Sequence, residues 1–313
     1  MKRCVFLFFI TVVLLSVGLQ NITAQSSTLT DSLEYSLYAN KVISAQSAAC
    51  YGDYLVFVSR QVSRITLYNL HTKKTLYSLQ LTPKTEMRGN TDIYHANNSF
   101  FGKKKYHKSD PFSLLYVSHR ENNELRGVLD VYRVIPYHHR NGDDYDSLSV
   151  EQVQTVYYPE MTDENALGSP WTAIDTQRGY MYTYSRNNRK GADNQSICRI
   201  SKFKIPKLTH YAISVFLEDK DILESYEVDF NASLSQGACI FRNMMYIVQG
   251  VPQRTGKTYL RVIDLKRKKL VKTYHLHTIG FTEEPEGCFI YNNKLMITTI
   301  NRNIYQINNV IEQ

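Results

Sequence analysis

The feature that most limits what this chain can fold into is a recurring string of tiny residues running into a hydrophobic strand. Gln46 opens QSAACYGDYLVFV, Gln236 opens QGACIFRNMMYIV and Glu286 opens EGCFIYNNKLMIT. Superposed, they share a polar residue, two or three tiny residues, a tight polar turn and a strand. The first copy continues ITLYNLHTKKTLYSLQL and the second LRVIDLKRKKLVKTYHL, each a strand, a Lys-Lys turn and a further strand. Two weaker copies follow the same course. One is HANNSFFG with LLYVS, VLDVYRVI and VEQVQTVYY; the other is SPWTAID with GYMYTYS, ICRISKFKI and ILESYEVDF. Short runs of β-branched and aromatic residues between turn residues read as strands, and no long segment keeps a helical period. Such a unit cannot bury its apolar face alone, so the copies must stack.

The copies begin near residues 45, 92, 167, 234 and 284, at intervals of 47, 75, 67 and 50. The last has only about 30 residues before the chain ends, while residues 28–44 stand unused at the front. Together they make one whole unit. The expectation is an all-β fold, a β-propeller of five blades whose ring is closed by an N-terminal strand. Six blades would result if one of the long units hid a degenerate copy. The surplus in those units is polar, and Tyr137–Ser147 and Arg186–Ser196 read as loops.

The front of the chain bears on compartment. Lys2 and Arg3 precede an apolar run from Val5 to Leu19, and polar residues with a small Ala24 follow. That order predicts a signal peptide over 1–24 and a single propeller domain over 25–313. The run is shorter than the roughly 20 residues of a membrane span. The expected product is therefore exported, periplasmic or secreted, and soluble after cleavage, with no membrane span. A net charge of +8 is mild for 313 residues. Basic residues are scattered except at Lys103–Lys105 and Lys266–Lys269, and no basic stripe interleaves with aromatics, so nucleic acid is not an expected partner. Cys50, Cys198, Cys239 and Cys288 have no C-x-x-C spacing. Three of them fall at nearly equivalent places in the repeat, which favours small core residues over a bridge framework.

The tiny residues leading into a strand, followed by a turn and strings such as Val262-Ile263-Asp264-Leu265 with lysines beyond, resemble secreted bacterial propellers of the TolB-like and YncE-like kind. Glu284-Pro285-Glu286-Gly287 is similar to the corresponding stretch of extracytoplasmic propellers related to strictosidine synthase and phytase-like proteins. The resemblance implies the fold. It does not imply an activity, since propellers host lectins, hydrolases, lyases and scaffolds.

In a propeller the segment leading into each innermost strand faces the central channel. Around the ring that position holds Gln46, His95 with Asn97, Trp171 with Thr172, Gln236, and Glu286 with Glu284 nearby. Amides, a carboxylate and an indole suit a small polar ligand such as a glycan, or a protein partner. An alternative is a carbohydrate-active hydrolase or lyase with Glu286 as acid–base residue and His95 assisting. A third reading is an envelope scaffold without a small-molecule site. Glycosidases need two carboxyl groups flanking one bond, and here only one blade supplies them at matching positions, with Asp92 and Asp175 close by. No cofactor and no metal are expected. His275 and His277, two apart on a strand, and His138-His139 lack a third ligand. Asn141, Asp143, Asp144 and Asp146 read as a solvated acidic loop. Gly256-Lys257-Thr258 lacks the glycine a phosphate loop needs at Val251.

Overall fold

In the computed structural model each copy of the repeat becomes one sheet, and there are five. The structure describes residues 33–311 except 41, 43–45, 61, 82–94, 121–125, 139–143, 161, 163–166, 168–170, 191–195 and 210–212. The expected signal peptide, Asp92, His139, Asn141 and Asp143 lie outside the described residues.

A lone strand, β1 (Glu34–Ala39), comes first. Blade 1 follows as β2 (Ser47–Tyr51), β3 (Tyr54–Val58), β4 (Arg64–Asn69) and β5 (Lys74–Gln80). Blade 2 holds β6 (Asn98–Phe101), β7 (Leu115–Arg120), β8 (Gly127–Tyr137) and β9 (Ser147–Tyr157). Blade 3 starts with β10 (Trp171–Asp175), β11 (Tyr180–Lys190) and β12 (Ser196–Lys204). A short strand β13 (Ser214–Phe216) then returns to pair in parallel with β9 as a fifth strand of blade 2. Blade 3 is completed by β14 (Glu224–Val228). Blade 4 is β15 (Ser235–Phe241), β16 (Met244–Gln249), β17 (Tyr259–Asp264) and β18 (Lys269–His275). Blade 5 is β19 (Pro285–Tyr291), β20 (Lys294–Thr299) and β21 (Ile304–Asn308), and β1 pairs with β21 as its outermost strand. This is the closure anticipated from the residue count. The inner strands β2, β6, β10, β15 and β19 touch in a cycle.

The cores explain why the chain makes a ring. Five apolar clusters are present, each drawn from two neighbouring blades: 1 with 2, 2 with 3, 3 with 4, 4 with 5, and 5 with 1. Side chains alternate along a strand, so each blade offers one apolar face to either neighbour. Tyr158 and Tyr184 are wholly buried between blades.

Local chemistry fixes the turns. Arg242 and Asn243, like Asn292 and Asn293, both adopt positive φ, the geometry of the hairpin turn that matches strand twist. At the end of β17 the Asp264 carboxylate accepts from the backbone N–H groups of Lys266 and Arg267 at 2.9 and 2.8 Å. Asn69 does the same for Thr72 at 2.9 Å. The Lys-Lys turns of the repeat are therefore Asx turns. Arg186–Ser196 is expected as a loop, but its described residues are strand: β11 runs to Lys190, which pairs with Ser196 at the start of β12.

Candidate functional site

The repeated tiny residues let the inner strands converge. Aligned by blade, the position after the polar residue is Ser47, Asn98, Thr172, Gly237 and Gly287. A Cβ at Gly237 would lie 2.5 Å from Gly287 Cα, so these two backbones pass in contact. Asn98 is the bulky exception. It is fully buried, and its amide donates to Thr172 O and Ala238 O, both at 2.8 Å. One side chain of blade 2 thus ties blades 3 and 4 across the axis, in space that small neighbours leave open.

Above this constriction, two carboxyl groups of blade 5 meet amides from the blades on either side. The Gln46 amide of blade 1 donates to Glu286 at 2.5 Å. The Gln236 amide of blade 4 donates to Glu284 at 3.0 Å. Glu286 is only 5% exposed. Burial, reinforced by Glu284, pushes its carboxyl up to about 8, against the pull of Arg60 and of the Gln46 hydrogen bond. Burial also raises Glu284, opposed by Arg254 and Gln236. Glu286 therefore holds its proton at neutral pH and can both donate and accept.

Four buried polar atoms on or just before the inner strands of blades 1 and 2 have no hydrogen-bond partner among the described residues. They are Ser47 Oγ, Asn97 Nδ2, Asn98 Oδ1 and Ser99 Oγ. Each such atom costs about 1–3 kcal/mol when left unpaired. Ser47, Asn97 and Asn98 lie at or just before the starts of β2 and β6, on the side of Gln46, whereas Ser99 lines the opposite end of the channel.

The remaining expected positions are placed differently. His95 Nδ1 lies 3.3 Å from Asn97 Oδ1, leaving Asn97 Nδ2 as the unpaired atom of that side chain. Trp171 is half-buried and stacks on Tyr184, ring centroids 5.8 Å apart, as part of the core between blades 3 and 4. Thr172 Oγ1 meets Tyr158 OH at 2.8 Å inside the neighbouring core. Asp175 caps a turn, accepting from the backbone of Gln177 and Arg178. Glu283 braces blade 5, accepting from Tyr305 OH at 2.6 Å and Asn303 Nδ2 at 2.8 Å. His277 lies in a 3-10 turn (Leu276–Ile279) rather than on a strand with His275, and its Nδ1 is 3.0 Å from Thr258 O. Among the described residues no group of three or more His, Cys, Asp or Glu could hold a metal ion.

The sequence reading missed Ser47, Asn98, Ser99, Arg60 and Arg254. Asn98 carried a signal, being the one large side chain in the tiny-residue column. Arg60 and Arg254 come from a β3–β4 connection and a single helical turn (Pro252–Thr255), outside any repeat column.

A pH effect follows from Glu286. Its folded-state value lies above the ordinary 4.5, so between about pH 4.5 and 8 the native state keeps a proton that the unfolded chain releases. Stability is then greatest below that window and falls as pH rises through it, by at most about 5 kcal/mol for this group. Urea unfolding at pH 5 and pH 8 is expected to show the fall in the wild type and a much flatter response in Glu286→Gln. An equal slope in both would remove Glu286 as its source.

No protein-family model matches the chain, and no curated protein matches it. Among solved structures it is similar to a soluble aldose sugar dehydrogenase from Escherichia coli, at 10% identity over 88% of this chain and 99% of that one, with a TM-score of 0.45. It is also similar to a glutaminyl cyclase from Myxococcus xanthus, at 8% identity over 88% and 94% of the two chains, with a TM-score of 0.46. At these levels neither lends this chain an activity. Strand order, closure and the five inter-blade cores define it as a five-bladed β-propeller.

Proposed function

We propose that this chain is an exported propeller that binds a small, uncharged polar ligand, a glycan foremost, at the channel mouth formed by Gln46, Gln236, Glu284 and Glu286. The observation that carries the reading is Glu286, a buried carboxyl held by an amide of the next blade, with three unpaired polar atoms, Ser47 Oγ, Asn97 Nδ2 and Asn98 Oδ1, at the neighbouring strand starts of blades 1 and 2. A protonated acid, two amides, Ser47 and two asparagines offer donors and acceptors together, which is how hydroxyl groups are recognised. Arg60 and Arg254 offset charge on the carboxyl pair, so the mouth does not call for a cation. Export rests on the n-region and apolar run of residues 2–19. Among the described residues no helix is long and apolar enough to cross a membrane.

The test is a thermal-shift panel of mono- and oligosaccharides and cell-wall fragments on the mature chain. A ligand at 100 times its Kd is expected to stabilise by about 2.7 kcal/mol. That shift should vanish in Glu286→Gln and in Gln46→Ala. A shift indifferent to both changes would place the ligand elsewhere, and no shift with any sugar would favour the scaffold reading.

A raised carboxyl is also what a general acid needs, so cleavage of a bound saccharide would favour the hydrolase or lyase reading, with Glu286 as acid and His95 assisting. Against it, Glu284 and Glu286 belong to one blade, and among the described residues no second carboxyl from another blade hydrogen-bonds into the mouth.

A further inference from the structure

The opposite end of the channel opens into a bowl of about 300 Å³ where the inner strands end, walled by residues such as Ile174, Ile240, Phe289 and Ile290. Three thiols line it: Cys50, Cys239 and Cys288. Cys239 of blade 4 and Cys288 of blade 5 sit one repeat position apart on neighbouring inner strands and face each other in the core between the two blades, with their sulfurs 3.5 Å apart. We propose that Cys239 and Cys288 form a thiol–disulfide exchange site, reached through the bowl, at which a small disulfide oxidises the pair to a covalent bridge between blades 4 and 5.

Three observations favour this pair. A disulfide bond is about 2.05 Å long with Cα atoms about 4.4–6.8 Å apart, and side chains already at 3.5 Å need only a small rotation. The two strands are in contact just upstream, where Gly237 and Gly287 meet. The other thiols are placed differently. Cys50 donates to Gly52 O at 3.4 Å, and Cys198 is fully buried away from the bowl. Cys239, half-buried where Cys288 is buried, is the first to meet a reagent.

The chemistry balances with one disulfide co-reactant. The Cys239 thiolate attacks one sulfur of the reagent, whose S–S bond breaks to release one thiol. The Cys288 thiolate then attacks Cys239 Sγ in the mixed disulfide and releases the second. The pair loses two electrons, the reagent gains them, and the two cysteine protons end on the released thiols. Burial holds the Cys239 thiol well above its ordinary value, so the exchange is slow.

The bridge would close a loop spanning 49 positions. By the chain-entropy relation it should raise the melting temperature by on the order of 10 °C over the reduced protein. The full-length mature chain is incubated for many hours with glutathione disulfide, alkylated and mapped by mass spectrometry. The expected result is loss of two alkylatable thiols, a Cys239–Cys288 cross-linked peptide and no lasting glutathione adduct. Cys50→Ser and Cys198→Ala should leave this unchanged, while Cys239→Ala and Cys288→Ala should abolish it. Four alkylatable thiols after treatment, a lasting glutathione adduct on Cys239 or Cys288, or a bridge between another pair would overturn the proposal. The wild-type map decides the matter even if a variant fails to fold.

Discussion

Deleting residues 33–40 is expected to unfold the whole ring rather than fray one edge. β1 pairs with β21 from Glu34↔Asn308 to Ala39↔Ile304, so its loss strips the outer hydrogen bonds from blade 5. It also acts on two interfaces. Leu33 and Tyr35 pack into the core between blades 4 and 5, where Tyr35 meets Phe281 and Tyr305 edge-on. Tyr38 and Ala39 belong to the core between blades 5 and 1, and Tyr38 OH donates to Leu70 O of blade 1 at 2.7 Å. A ring with one weakened blade loses the two interfaces beside it. We expect a loss of about 5 kcal/mol or more, the scale of a whole domain's stability. Urea unfolding of the truncated chain should show no cooperative native baseline, and a synthetic peptide of residues 33–40 should restore one. Leu37→Ser, at a side chain 51% exposed, is the control and should change little. A truncated chain with a near-native midpoint would mean that the ring does not depend on this strand.

The second large effect is expected at Gly237. A Cβ there would lie 2.5 Å from Gly287 Cα and 3.2 Å from both Gly287 C and Cys288 N. Every one of these atoms is backbone, so no side chain can swing aside. Gly237→Ala must spread two inner strands that also share the axis with Asn98, disturbing its 2.8 Å bond to Ala238 O. About 3 kcal/mol is the expected cost, at the upper end of overpacking. Gly237→Val should not fold. Gly52→Asn is the matched control: that turn has φ +58° with nothing within 4 Å of the added atom, and asparagine tolerates the conformation. Chemical denaturation of both variants checks the contrast, and a Gly237→Ala chain as stable as Gly52→Asn would mean the channel is wider than described.

The repeat was legible because two physical demands act on the same residues in every blade. Strands sandwiched between neighbours need alternating apolar side chains, and inner strands around a narrow axis need tiny ones. Closure was legible as a shortage of residues at one end matched by a surplus at the other. β13 was not: three residues in parallel pairing on an outer edge need no periodic pattern. Of the mouth, Gln46, Gln236 and Glu286 could be found by equivalence between blades, because each occupies the same column of the repeat. That equivalence places the backbone and not the side chain, which is why it could not show Trp171 turned into the core between blades 3 and 4 or Thr172 bonded to Tyr158. Asn98 shows only when all five copies are laid side by side. Its role depends on the size of residues on blades 3, 4 and 5, and no single copy of the repeat contains that comparison.

The proposed binding depends on one carboxyl group, Glu286, buried at the mouth of the channel and raised by that burial. Carbon-13 NMR of residues 25–313, with the Glu286 signal assigned by its loss in Glu286→Gln, would follow that group directly through a pH titration. A midpoint of about 8 is expected, shifting when a saccharide identified by the thermal panel is added. A midpoint near the ordinary 4.5, unmoved by any such ligand, would show a solvated rim in place of a binding site and would contradict the account.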